Sequence, residues 1–273
     1  MKVHLISDVH AEMNKKLQLT APADTDVIVL AGDIAEGTDG VAWAQKSYGT
    51  QKPIIYICGN HEFYNNDISV TKKIAEAAAG TNIHFLDNES IVIDGVRFIG
   101  STLWTNFNNW SNLRAINFLH SKMNDYRYIS AKEFYKNSAL VERARAIAPI
   151  MIDRKRGEYN LIVPVITYML HLDAVKYLEA ELSKQHDGKT IVVTHHAPSY
   201  KSVDIFKAKF EDAYASSLEH LIEKHRKTIN AWFHGHLHVP VNYKISGVPI
   251  VSSPRDYPFL VFDQSAENFI FEV

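Results

Sequence analysis

The chain has 273 residues, of which 46% are apolar and 22% are charged, and its formal net charge is -2 at pH 7. These values are ordinary for a globular protein, and the small negative charge argues against nucleic-acid binding through bulk charge. A single cysteine, Cys58, excludes an internal disulfide, and no apolar run reaches the roughly 18 residues of a membrane span. Because a strand-like run begins at residue 3 with no signal peptide before it, we expect a cytoplasmic protein without membrane contact.

Three apolar runs near the amino terminus each end in side chains that can bind a metal. Runs of this length predict buried strands, and ligands in α/β proteins bind at the carboxyl ends of such strands. The predicted strands and the residues after them are 3–6 with Asp8 and His10, 27–31 with Gly32 and Asp33, and 53–58 with Asn60 and His61. Each strand therefore offers a candidate metal ligand at the same edge of a sheet.

A hairpin and a long aromatic-rich region follow. Further strands are predicted over residues 83–85, 90–93 and 96–100, and Asp94-Gly95 forms the turn between the last two. Residues 103–185 predict a mostly helical insert, a cap, within a single domain of residues 1–273.

The insert shows helical patterns over residues 113–120, 131–148 and 172–183. Residues 161–169 are apolar but contain Pro164, which leaves their state open. Our hypothesis is that the insert covers the site and stacks on or encloses an organic leaving group. The alternative is that its aromatic side chains form the interface of a homodimer.

Two apolar runs in the last third of the chain lead into pairs of histidines. Residues 190–194 precede His195 and His196, and residues 230–233 precede His234, His236 and His238. A helix is predicted between them over residues 213–225, and strands over residues 248–252, 259–262 and 268–271 predict a terminal antiparallel sheet.

Five predicted strands thus end in carboxylate, amide or imidazole side chains. The candidate metal ligands are Asp8, His10, Asp33, Asn60, His195, His236 and His238. One such motif alone would be common, but five in the same structural position predict a metal site. Oxygen and nitrogen ligands without a thiolate suit Mn, Fe or Zn better than Ca.

These motifs resemble those of the calcineurin-like metallophosphoesterases, in the same order. The matching segments are Asp8-Val9-His10, Gly32-Asp33, Gly59-Asn60-His61-Glu62, Thr194-His195-His196 and Gly235-His236-Leu237-His238. The resemblance implies an α/β fold, a four-layer α/β/β/α sandwich, with two divalent or trivalent metal ions at one edge. It implies one metal held by Asp8, His10, Asp33 and His238, and another held by Asp33, Asn60, His195 and His236. Asp33 then bridges both ions, and His61 is the catalytic histidine that binds neither.

The resemblance also implies a function: hydrolysis of a phosphate mono- or diester on a small substrate by a hydroxide that bridges the two metals. Asp33 and His61 are the catalytic residues in this interpretation, and His61 donates a proton or hydrogen bond to the phosphate or the leaving oxygen. One alternative is a non-catalytic protein that binds metal or a phosphate ligand on the same fold, and another is a nuclease. The complete ligand set favours the enzyme, and the insert lacks the basic stripe with aromatics that single-strand binding uses.

Three assignments stay open in the sequence. His195 is favoured over His196 as the ligand because it lies nearer the strand end, and His234 is interpreted as structural. The segment Lys122-Met123-Asn124-Asp125-Tyr126-Arg127 resembles a segment found in one bacterial subgroup of these phosphoesterases. Its Arg127 is either a phosphate contact or the partner of Asp125.

A second segment, Ser253-Pro254-Arg255-Asp256-Tyr257, resembles an Asn-Pro-Arg-Gly-Tyr segment of the same subgroup. Ser253 and Asp256 depart from that pattern. The departure at Asp256 puts a glycine turn in doubt, and Arg255 is not assigned to the site.

Overall fold

The computed structural model describes residues 1–111, 113–153, 160–203, 211–257 and 265–273. Its strands are β1 (Lys2–Ile6), β2 (Val27–Ala31), β3 (Ile54–Ile57), β4 (Ile83–Phe85), β5 (Glu89–Ile93), β6 (Val96–Ser101), β7 (Lys189–Thr194), β8 (Ala231–His234), β9 (Val241–Ile245), β10 (Val248–Ser252) and β11 (Ile270–Glu272). Its helices are α1 (Asp39–Tyr48), α2 (Thr71–Ala78), α3 (Phe107–Trp110), α4 (Leu113–Lys122), α5 (Asp125–Tyr128), α6 (Lys132–Lys136), α7 (Ser138–Ile147), α8 (Pro149–Asp153), α9 (Pro164–Leu182), α10 (Glu211–Tyr214) and α11 (Glu219–Lys224). None of these helices is both long and apolar enough to cross a lipid bilayer.

The strands form two sheets with parallel centres and antiparallel edges. The first has the order β11-β1-β2-β3-β4, in which only β11 is antiparallel to its neighbour. The second has the order β5-β6-β7-β8-β10-β9, in which β5 and β9 are the antiparallel edge strands. All the strands that end in candidate ligands lie in the parallel parts, so their carboxyl ends point the same way within each sheet.

The two sheets pack face to face, and helices cover both outer faces. In β2, Val27 and Val29 pack against the second sheet, whereas Ile28 and Leu30 pack towards α1 and α2. This burial on both faces explains why the central strands read as continuous apolar runs and not as alternating ones. On the other side, α9 and α11 cover the second sheet around Trp232. The predicted α/β/β/α sandwich is therefore confirmed.

Helix α9 belongs to two parts of the molecule. Near its start, Val165 and Ile166 pack with side chains of α4 and α6, whereas near its end Leu178 and Leu182 pack on the second sheet. The helix begins at Pro164, which resolves the open state of residues 161–169. Proline is well tolerated there because the first turn of a helix has no partner for its N–H groups.

Two predicted helices are interrupted. Residues 131–148 divide into α6 and α7 at Asn137, whose side chain accepts a hydrogen bond from Leu140 N (3.2 Å) and caps α7. Residues 213–225 divide into α10 and α11, because Ala197 N donates to Tyr214 O and Ser216 N donates to Ala197 O. A local capping bond in the first case and tertiary hydrogen bonds in the second outweigh helix propensity.

The terminal strands also differ in part from the prediction. Strand β9 was not predicted, and it pairs antiparallel with β10. The predicted strand over residues 268–271 is found at β11, where it pairs with β1 and not with β10. The strand predicted over residues 259–262 lies outside the described residues.

Gly40 in α1 makes a close contact with β3 that is testable. A Cβ atom at this position would meet the Tyr56 hydroxyl and lie 2.9 Å from Tyr56 Cζ. Replacing a helical glycine by alanine normally gains up to about 1 kcal/mol, but overpacking costs about 1–3 kcal/mol. We therefore expect Gly40→Ala to lower the free energy of unfolding in urea, and Tyr56→Phe to reduce that loss in the double variant. A Gly40→Ala protein more stable than the wild type would contradict this contact.

Candidate metal centre

The carboxyl ends of five strands meet at one edge of the sandwich. Strands β1, β2 and β3 of the first sheet and β7 and β8 of the second each run into a short loop. These loops carry Asp8, His10, Asp33, Asn60, His61, His195, His236 and His238. All eight are buried except His238, whose side chain is 16% exposed. The structure thus brings together every site residue predicted from the sequence.

The backbone is left-handed at many of these positions. The φ angle lies between 50° and 72° at Asp8, His10, Asp33, His236 and His238. Residues other than glycine adopt this region infrequently, and clusters of them are typical of functional sites. The tight turns direct several side chains from separate loops to one point.

Two glycines let the loops approach each other. A Cβ on Gly32 would lie 2.5 Å from His195 Nδ1, and a Cβ on Gly59 would overlap the Asp33 carboxylate. Gly32 also has a φ of 87°, which favours glycine. Side chains at either position would separate the candidate ligands.

Hydrogen bonds fix the tautomers of three histidines. Each donates its Nδ1–H to an oxygen, which leaves Nε2 as the ring nitrogen that can bind a metal once it has lost its proton. The pairs are His10 with Glu12 Oε1 (3.0 Å), His195 with Ala31 O (2.9 Å) and His238 with Asp256 Oδ1 (2.6 Å).

The first candidate metal group consists of Asp8, His10, Asp33 and His238. One ligand atom of each lies within 4.8 Å of the others. His10 Nε2 and His238 Nε2 are 3.3 Å apart, and His238 Nε2 is 3.5 Å from Asp8 Oδ1. Because Nδ1 of each ring is hydrogen-bonded to a carboxylate, the two Nε2 atoms face each other as two ligands of one cation would.

The second group consists of Asp33, His195 and His236, whose ligand atoms also lie within 4.8 Å of one another. His195 Nε2 is 3.3 Å from Asp33 Oδ2. The buried side-chain atoms without a hydrogen-bond partner among the described residues include His195 Nε2, His236 Nε2 and Asn60 Oδ1. Leaving buried polar atoms unpaired is costly, and a cation bound among them would give them a partner. The donor set therefore fits metal binding, and Asp33 belongs to both groups.

The Asp33 carboxylate attracts positive charge to the centre, which protons on the imidazoles supply without a metal and which a bound cation would supply by displacing them. Burial raises the pKa of Asp33, but His195 and His61 outweigh it and hold this pKa well below its ordinary value. Burial lowers the pKa of His195, but the Asp33 carboxylate outweighs it and raises this pKa to about 9. Burial, His196 and His195 hold the pKa of His236 well below its ordinary value, which keeps that ring neutral.

Glu12, which belongs to none of the motifs in the sequence, joins the candidate catalytic histidine to a candidate ligand. Its Oε1 accepts hydrogen bonds from His61 Nδ1 (3.0 Å) and from His10 Nδ1 (3.0 Å). The ring of His61 also stacks on Tyr64, with centroids 4.2 Å apart. Burial lowers the pKa of His61, but Asp33 and Glu12 outweigh it and raise this pKa to about 9. His10, Glu12 and His61 form a third cluster of acid and histidine side chains. Because Glu12 accepts hydrogen bonds from both Nδ1 atoms, we interpret this cluster as a hydrogen-bond network and not as a metal group.

Glu62 holds two of the loops in place from behind. Its carboxylate accepts hydrogen bonds from the backbone N–H groups of Asp33 (3.0 Å), Ile34 (2.8 Å) and Gly59 (2.7 Å). The Tyr56 hydroxyl donates a fourth (2.9 Å). Burial and the nearby Asp33 raise the pKa of Glu62 to about 7. The last residue of the Gly59-Asn60-His61-Glu62 segment is thus a support for the centre.

The neighbouring histidines have other contacts. His196 Nδ1 donates to Thr102 O (3.1 Å), and its ring lies against Trp104. His234 Nε2 is hydrogen-bonded to Ser202 Oγ (2.9 Å). The structure therefore places His195, and not His196, in the group with Asp33, and His234 is a buried packing residue.

Asp125 and Arg127 do not pair, contrary to one of the two options predicted for them. Arg127 is exposed and donates to Ser121 O (2.7 Å). Asp125 is buried, and its Oδ1 accepts from the Tyr64 hydroxyl (2.7 Å) and from Asn60 Nδ2 (3.0 Å). No pattern in the sequence points to this contact, because it joins residues far apart in the chain.

The segment around Asp256 keeps its turn without glycine. Asp256 has a φ of 73°, and its Oδ1 accepts from Tyr257 N (2.7 Å) as well as from His238. Arg255 is buried and donates to Glu267 (3.0 Å), away from the candidate ligands. The departure from the subgroup pattern at Asp256 was the signal in the sequence that could have revealed a contact with the centre.

A cavity of about 740 Å³ opens above the two groups. Asp33, Asn60, His61, His236 and His238 lie at its base. Its other walls include Tyr64, Tyr214 and Tyr257, together with Lys122, Met123, Asn124 and Tyr128 from the predicted insert. The centre is therefore accessible to a small molecule from this side.

Comparisons with known proteins agree with this geometry. A family model described as calcineurin-like phosphoesterase matches residues 1–240. An uncharacterised protein of Acanthamoeba polyphaga mimivirus is 26% identical over 253 residues, which cover 86% of this chain and 80% of that protein. The solved structure of phosphopantetheinyl hydrolase from Mycobacterium tuberculosis has a TM-score of 0.68 at 15% identity, covering 100% of this chain and 95% of that one. With a family match over most of its length, this chain belongs to the calcineurin-like phosphoesterase family.

Proposed function

We propose that the protein is a phosphoesterase that uses two metal ions to hydrolyse a phosphate mono- or diester of a small organic molecule. The observation that carries the proposal is the convergence of unpartnered ligand atoms on the Asp33 carboxylate at the base of an open cavity. Membership of the family supports metal-dependent phosphoester hydrolysis. Manganese, iron or zinc suits the mixed oxygen and nitrogen ligands.

We assign the ligands as the two groups in the structure suggest. One metal would be held by Asp8, His10, Asp33 and His238, and the other by Asp33, Asn60, His195 and His236. The free Nε2 of His195 and its 3.3 Å distance to Asp33 Oδ2 support His195 over its neighbour.

When bound, such metals lower the pKa of water towards about 7 and neutralise charge on the phosphate. Asp33 holds both positions together. His61 is fixed through Nδ1 by Glu12 and lines the cavity, so its Nε2 can donate a proton or hydrogen bond to the leaving oxygen.

The cavity supports a small substrate. Its volume lies within the range of small-molecule sites, about 300–1,000 Å³. Of the described residues that line it, Lys122 is the one lysine or arginine, which argues against a nucleic-acid chain. Tyr64 and Tyr128, with ring centroids 5.7 Å apart, offer an aromatic wall for the organic part. Residues 103–185 would then act as the proposed cap.

The first prediction concerns His61. We expect metal-stripped protein reloaded with Mn²⁺ to hydrolyse p-nitrophenyl phosphate or bis-p-nitrophenyl phosphate, and the ratio of the rates indicates mono- or diester chemistry. His61→Ala should lower kcat by about 10²–10⁴-fold, the contribution typical of such a group, without loss of bound Mn²⁺. His220→Ala, an exposed histidine on α11, is the control and should change neither quantity. Wild-type protein that binds two ions but turns over neither ester would favour a non-catalytic binding role.

The second prediction concerns Asp256. Removing a carboxylate that orients a metal-binding histidine typically weakens metal affinity by about 10- to 100-fold. Asp256→Gly removes it without backbone strain, because glycine adopts a φ of 73° freely. We expect that loss for one of two Mn²⁺ ions in calorimetric titration, and a smaller loss for Asp256→Asn, which keeps an acceptor. Unchanged affinity in Asp256→Gly would show that His238 needs no such partner.

The third prediction concerns Tyr128, which is 48% exposed and lies on the insert side of the cavity. Losing an aromatic contact worth about 0.5–1.5 kcal/mol weakens substrate binding by about two- to tenfold. We expect Tyr128→Ala to raise KM for p-nitrophenyl phosphate by this factor and to leave kcat unchanged. The same variant should leave KM for glycerol phosphate unchanged. Equal effects on both substrates would contradict stacking on the leaving group.

A further inference from the structure

The orientation of the Asn60 amide is fixed by two acceptors on one side. Asn60 is 3% exposed, and its Nδ2 donates to Asp125 Oδ1 (3.0 Å) and to the Tyr64 hydroxyl (3.2 Å). Tyr64 in turn donates to Asp125 Oδ1 (2.7 Å). Because the NH2 end of the amide donates to this side, Oδ1 is directed away from it, and it is one of the buried atoms without a partner.

Asp125 reaches this position from the predicted insert, through main-chain hydrogen bonds. Asn65 N donates to Tyr128 O (2.9 Å), Ser130 N donates to Asn66 O (2.8 Å) and Ile68 N donates to Ser130 O (2.8 Å). The segment that follows His61 is therefore paired with the segment that follows α5. On the other side of α5, the Tyr126 hydroxyl is 3.3 Å from Thr167 Oγ1 on α9.

We propose that Asp125 is a positioning residue for metal binding, and that the insert is thereby part of the metal site as well as its cover. The inference rests on the proposed function, which makes Asn60 a ligand. Asp125 holds the amide with its oxygen towards the metal, and its negative charge behind the amide polarises the carbonyl in the direction that strengthens cation binding. The effect is confined to one of the two ions, since Asp8, His10 and His238 have no contact with Asp125 in the described hydrogen bonds.

The test is calorimetric titration of Mn²⁺ into metal-stripped wild-type protein and variants. Asp125→Ala should weaken one of two binding events by about 10- to 100-fold, the usual effect of removing a partner of a ligand, and leave the other event unchanged. Asp125→Asn keeps an acceptor for Asn60 and should recover most of the affinity. Tyr64→Phe, which removes one of the two acceptors, should give a smaller loss at the same event. Asp173→Asn is the matched control, because Asp173 lies in the same predicted insert but is exposed and pairs with Arg143.

The outcomes separate this inference from the proposed function. If Asp125→Ala binds Mn²⁺ in two events with wild-type affinities, the inference is overturned and the proposed function stands. A wild-type protein that binds no Mn²⁺ would overturn both. A parallel loss at both events would also overturn the inference, because general destabilisation is not selective. If Asp125→Ala does not fold, a wild-type affinity at both events in Tyr64→Phe would overturn it.

Discussion

The whole centre depends on one buried carboxylate, that of Asp33, held among imidazoles. An isolated carboxylate in such a place would be strongly destabilising, so its surroundings must supply positive charge and hydrogen bonds. His61 N donates to Oδ1 (2.8 Å), and His195 Nε2 lies 3.3 Å from Oδ2. Glu62, a second buried carboxylate, fixes the backbone at Asp33 by accepting its N–H. These contacts hold the negative charge of Asp33 at the place where a cation would offset it.

The two sides of Asp33 are supported differently. On one side, Asp256 from the segment after β10 accepts a hydrogen bond from His238. On the other, Asp125 at the start of α5 accepts a hydrogen bond from Asn60. The two carboxylates come from elements far apart in the chain, so substitutions can change the surroundings of His238 and of Asn60 independently.

The strand ends could be predicted from the sequence because they depend on short-range patterns. A continuous apolar run followed by Gly32-Asp33 specifies both a doubly buried strand and the turn at its end. The motif order then gave the family and the sandwich. Glu12 and Asp125 could not be assigned in this way, because their partners lie far away in the chain or match no motif, and a carboxylate outside a motif gives no sign of whether it faces water or a buried side chain. The break at Asn137 was missed for a related reason: one capping hydrogen bond decides it, and the surrounding residues favour helix throughout.

Helix α9 has a consequence for how the molecule unfolds. Its first turns pack with the helices that follow β6, and its last turns pack on the second sheet. His171 at its middle donates Nδ1–H to Leu103 O (3.1 Å), at the point where the chain leaves the sheet. A continuous hydrogen-bonded rod shared by two regions couples their local stabilities, so neither can melt without disturbing the packing of the other. We therefore expect these two regions to unfold in one cooperative transition, and not as two separable thermodynamic units.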